Sequence, residues 1–187
     1  MHLIVGTERA PLSADALQRQ WLENLGHMET IRYQEVVQQL LAVLSVDPPN
    51  AFYDLLGVRN HQLFKKRKLN QFYPSLQLFV WRKALEQTQP LYAPHLFWLW
   101  RRTFLAQQTT AKPRLQRMEN HLALFALLTD NFAEAGFMSV AHHVVLRVLG
   151  ALPDKADHLV AVVQLADHLE MQFNRYVTAF ERAAILP

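Results

Sequence analysis

The sequence predicts an all-α fold, on three observations. Only five of its 187 residues are glycine, whereas β-rich chains need glycine at turns and bulges. Apolar residues recur at spacings of three and four rather than two. Hydrophobic residues make up 51% and charged residues 19%, which is enough apolar mass for a packed globule and argues against disorder. A chain of this length buries roughly two thirds of its unfolded surface without a covalent staple. It fits one helical domain of about seven to nine helices, spanning residues 1–187.

The elements follow from local signals. Residues 1–12 read as a loose arm ending at Pro11. Ser13 can N-cap a helix that runs through Trp21 and Leu25 to a stop at Gly26. A second helix is expected from about Glu29 to Ser45, with Ile31, Val36, Val37, Leu40, Leu41 and Leu44 as its apolar stripe. Asp47-Pro48-Pro49 stops it, and a short helix from Ala51 to Leu56 ends at Gly57. His61 to Tyr73 is compatible with a helix, and Pro74 is expected to open the next one, through about Gln87. Pro90 and Pro94 bracket a turn before a helix from His95 to about Gln108. Residues 109–113 form a polar linker and the best internal seam. Three helices then follow: Leu115–Ala135 closed by Gly136, Phe137–Leu149 closed by Gly150, and a long one from Pro153-Asp154 to about Ala184. Their short links predict an antiparallel C-terminal bundle.

Charge is segregated. From Arg59 to Arg117 there are twelve Lys or Arg and one acid, Glu86, a charge of +11; the remainder has seven Lys or Arg against fifteen acids. Ten of the twenty aromatic residues lie in the same window. Phe97, Trp100 and Phe104 recur at helical spacing and read as core, as do most of the rings between Phe79 and Phe104. The run Lys65-Lys66-Arg67-Lys68 differs, because four adjacent cations cannot all be buried.

Several function classes lack support in the sequence. Without cysteine there is no disulfide, thiolate metal site or thiol nucleophile. No Gly-x-Ser-x-Gly elbow, glycine-rich phosphate loop, His-Glu-x-x-His or Glu-x-x-His occurs. The first residues carry no basic, long apolar leader, and the apolar stretch Leu91–Trp100 is too short to span a bilayer. A cytoplasmic protein is expected. Nine histidines, with Asp154/His158 and Gln164/His168 spaced four apart and the His142-His143 pair, leave a helical His/carboxylate metal protein as a distant alternative. His142 and His143 diverge by about 100° on a helix, which disfavours shared ligation. Leu91–Leu105 with Arg101 and Arg102 also has some character of a membrane-surface helix.

Two short stretches have familiar patterns. Phe52-Tyr53-Asp54-Leu55-Leu56-Gly57-Val58 resembles the opening of a J-domain, but the His-Pro-Asp turn of that module is absent from the chain. Glu119-Asn120-His121-Leu122-Ala123-Leu124 resembles the acidic Asp-His motif of the TorD-like redox-enzyme chaperones, which are all-helical chains of this general size. Asn120 stands at the motif's Asp and Met118 at its Pro. That resemblance implies a helical chaperone.

The functional expectation is a non-enzymatic helical protein-binding module, without cofactor: an adaptor, chaperone or subunit of a larger assembly, homo- or hetero-oligomeric. Its basic segment would engage an acidic protein surface through Lys65, Lys66, Arg67 and Lys68, with Arg101 and Arg102 in support. Trp98 and Trp100 are its candidate anchors where exposed. The alternative is nucleic-acid binding by the same residues, with cations on phosphates and exposed rings on bases.

Overall fold

The computed structural model describes residues 30–45, 47–107, 111–131, 133–150 and 155–186. The expected N-terminal arm and the helix from Ser13 lie outside them, as do residues 109 and 110 of the linker; residues 111–113, expected as linker, are helical, so the helix expected over Leu115–Ala135 instead spans Ala111–Asn131. The described chain forms seven α-helices: α1 Tyr33–Ser45, α2 Asn50–Leu55, α3 Leu63–Thr88, α4 Ala93–Gln107, α5 Ala111–Asn131, α6 Met138–Leu149 and α7 Lys155–Arg182. A 3-10 turn, Ala133–Ala135, links α5 to α6. The all-α class holds, with the addition of one small clasp: β1, Thr30–Arg32, pairs in parallel with β2, Ala184–Leu186.

This clasp corrects two helix boundaries. The second predicted helix starts at Tyr33 rather than Glu29, and the last ends at Arg182 rather than Ala184. Three residues at each end leave the helical pattern to pair across more than 150 positions of chain, Ile31 opposite Ile185. No local spacing reports such a partner.

Helix α3 is the centre of the molecule. Every residue from Phe72 to Trp81 is buried, so this stretch is enclosed on all sides by α1, α4, α5, α6 and α7. Pro74 was expected to open a helix, yet it lies inside one 26-residue helix. Proline withdraws the N–H that would bond the Asn70 carbonyl, which costs an isolated helix about 3 kcal/mol. Packing on every face of α3 outweighs that loss. At one or two buried large side chains per turn, each contributes about 1.5–3 kcal/mol of transfer free energy.

Ring contacts give the helix directions. Phe72 meets His121 and Phe79 meets Phe125, so α3 and α5 run parallel. Phe72 meets His143 and Phe79 meets Phe137, so α6 runs against α3. His142 faces His158 and Phe137 faces Phe173, so α7 runs against α6. The three C-terminal helices are thus an antiparallel set, as their short links predicted. Gly57 and Gly150, at φ +61° and +77°, end α2 and α6 in a conformation that costs a residue with a Cβ about 1–2 kcal/mol.

Candidate binding surface

The basic run occupies the first two turns of α3, and the helix sorts its charges. Leu63, Phe64, Arg67, Lys68 and Gln71 are exposed and share one face at spacings of three and four. Lys65 and Lys66 turn sideways and are partly buried. Lys66 donates to Asn60 Oδ1 at 2.6 Å and sits 4.6 Å from the centre of the Tyr53 ring. Tyr53 in turn donates to Asn70 Oδ1 at 2.7 Å. Burial pushes the Tyr53 phenol up, with Asp47 adding to the effect and Asn70 opposing it. Lys66 therefore fastens α3 to the α2 turn, and the outward charge of the run reduces to Arg67 and Lys68. Beside them Phe64 is 81% and Leu63 72% exposed.

Three contacts bring more cations to this face. Lys68 Nζ donates to the Arg147 carbonyl on α6 at 3.3 Å. Arg147 and Arg117 both lie close enough to His121 to depress its proton affinity. Arg117 and Arg114 line a groove together with Gln71 of α3. Arg67, Lys68, Arg147, Arg117 and Arg114 thus converge from α3, α5 and α6 on one side of the bundle. Among the described residues the salt bridges are Arg82–Glu86, Lys83–Asp130 and Arg101–Glu119, none of which neutralises these five.

Two imidazoles lie beneath this surface. His121 Nδ1 is 2.9 Å from the Ser75 Oγ, and its ring stacks on Phe72 with centroids 4.5 Å apart. Burial lowers its pKa, reinforced by His143, Arg117 and Arg147. His143 is lowered by burial first, then by Arg147 and His142. Both rings are shifted toward the neutral form. Ser75 is fully buried, no carboxylate among the described residues acts on His121, and the pair forms a polar joint between α3 and α5. His143 faces Phe72 while His142 faces His158, the divergence their adjacent positions required. No group of three His, Asp or Glu able to hold a metal occurs among the described residues.

The remaining predicted residues lie elsewhere. Trp100 is fully buried between Phe97 and Phe104, so it is core and not an anchor. Its stripe position at three and four from those rings explains why. Trp98, two positions back, points outward at 57% exposure with the Arg102 guanidinium 5.5 Å from its centre. Arg101 is paired with Glu119 at 2.7 Å. These three sit on α4, whose neighbours are α1, α5 and α3, and no described contact links them to the α3 cluster. The chaperone-like stretch supplies two of the polar ties of α5: Glu119 to Arg101 of α4 and His121 to Ser75 of α3. No helix among the described residues is long and apolar enough to cross a membrane.

Sequence reasoning did not select Arg147, which is 79 positions from the lysine it meets. It took Arg114 and Arg117 only as part of the overall charge, although their i, i+3 spacing already placed them on one helix face. No protein-family model, curated protein or solved structure matches this chain.

Proposed function

We propose that this protein is a non-enzymatic helical binding module, an adaptor or chaperone, that holds an acidic, partly apolar segment of another protein on the face led by α3. One observation carries the reading: Phe64 and Leu63 stand largely exposed beside Arg67 and Lys68, with no acid among the described residues paired to either cation. Exposed large apolar side chains on a cationic ground match a ligand that alternates carboxylates with aliphatic residues. Of the rings in the basic window, Phe72, Tyr73, Phe79, Trp81, Trp100 and Phe104 are core, which leaves Phe64 and Trp98 exposed, on separate helices. That favours protein over nucleic acid, whose sequence-tolerant binding relies on exposed rings.

Fluorescence anisotropy with a labelled Glu/Leu-rich peptide and a labelled single-stranded oligonucleotide tests it. The peptide should bind saturably, and Phe64→Ser and Arg67→Glu should each weaken it by about tenfold, equivalent to 1.4 kcal/mol. The reading fails if the oligonucleotide binds more tightly than the peptide and is indifferent to Phe64→Ser. It fails equally if neither substitution changes peptide binding.

A further inference from the structure

A half-open groove of about 560 Å³ lies where the end of α1, the middle of α3 and the start of α5 meet. Its volume is that of a small-molecule site. Pro74 and Met118 give it an apolar floor, and Asn70, Gln71, Arg114 and Arg117 give it polar walls. Asn70 and Pro74 are also the two ends of the missing α3 hydrogen bond, so one backbone carbonyl beside the groove lacks its helical donor.

The two guanidiniums differ in a useful way. Arg114 is fixed: it donates to the Leu44 carbonyl at 3.0 Å and lies 5.8 Å from the Phe104 ring centre. A guanidinium has five N–H donors, so that bond leaves most of them free. Arg117 is exposed, one turn on, and makes no hydrogen bond or ion pair with a described residue. The acid on the rim, Asp47, is exposed and makes no ion pair with either arginine among the described residues. It acts instead on Tyr53, whose phenol it pushes up. Two cations against one carboxylate leave the groove with a net positive charge.

We infer that this groove is a binding site for a small phosphate monoester, with the phosphoryl oxygens on Arg114 and Arg117 and an apolar substituent against Pro74 and Met118. A phosphate dianion matches two guanidiniums in charge and accepts their paired N–H groups. A monocarboxylate supplies half the charge. The site adjoins the Phe64 face, with which it shares Gln71, but uses neither Phe64 nor Leu63 and does not depend on the peptide reading.

Calorimetric titration of the full chain with phenyl phosphate, and with benzoate at matched ionic strength, tests the assignment. Phenyl phosphate should bind saturably, and benzoate about tenfold more weakly or not at all. Arg117→Gln should weaken phenyl phosphate by about tenfold with an unchanged circular dichroism spectrum, and Arg117→Lys should restore part of the affinity. Arg175→Gln, the same charge change on α7, should leave it unaltered, as should Phe64→Ser. Equal weakening by Arg117→Gln and Arg175→Gln would reduce the effect to diffuse electrostatics and overturn the site. Absence of saturable binding, or equal affinity for benzoate, overturns it as well.

Discussion

At the scale of single residues, the polar groups of the core show how this bundle is specified. Ser75 is buried in the middle of α3 and meets His121 at 2.9 Å, so the enclosed stretch of α3 gains a directional contact to α5. The indole N–H groups of Trp81 and Trp100 find no partner among the described residues, a cost of about 1–3 kcal/mol each, offset by the ring area they bury. The Ser75–His121 joint has a pH consequence. Every charged or titratable neighbour that acts on His121, namely His143, Arg117 and Arg147, opposes its protonation. Burial first, and these neighbours after it, hold its folded pKa below the ordinary 6.5, and His143 behaves alike. A base with a depressed folded pKa leaves stability complete above its ordinary value. As pH falls through that value the unfolded chain takes up protons first, and stability declines. The urea midpoint should be lower at about pH 5.5 than at about pH 7.5, and His121→Gln should flatten part of that slope. A midpoint that does not move over this interval would contradict the assignment.

At the scale of elements, α3 is where local and global signals conflict. Its cationic start and its central proline both read as reasons to divide it, and it is nevertheless continuous from Leu63 to Thr88. The resolution is that its two halves answer to different surroundings. The first two turns stand clear of the core and can carry exposed charge, while the stretch from Phe72 to Trp81 is enclosed and needs no polar face. Pro74→Ala would restore the Asn70 hydrogen bond and relieve about 3 kcal/mol of intrinsic helix cost, against about 1–2 kcal/mol of lost apolar burial. Thermal unfolding of this variant should shift upward by about 2–4 °C. A downward shift would show that the proline ring is the better-packed partner at that position. The other helices were far more legible, because their stripes, caps and glycine stops are local. Even so, the ends of α1 and α7 were misplaced by the β1–β2 pairing.

At the scale of the whole molecule, the clasp joins the described N-terminal edge of the chain to its C-terminal edge, with Ile185 buried at 3% exposure. Ile185→Ala should cost about 2–4 kcal/mol, read as a lower urea midpoint with an unchanged slope. No loss of stability would mean that the pairing adds nothing to closure. Charge organisation also belongs to this scale. The +11 segment was visible as composition, yet the structure uses its members in three different ways. Lys66 and Arg101 fasten neighbouring elements. Trp100 and most of the rings fill the core. Arg67, Lys68, Arg114 and Arg117 remain outward and are joined by Arg147 from α6. The sequence by itself determined the helical class, the stripes that become core, the C-terminal antiparallel set and the surplus of cations in the middle third, because each follows from residue type and short-range spacing. Only the tertiary structure decided that α3 is one helix with an enclosed middle, that Thr30–Arg32 and Ala184–Leu186 pair as strands, and which cations share a face. Those outcomes rest on contacts between residues tens of positions apart, where burial and charge are set by what folds against a segment rather than by the segment itself.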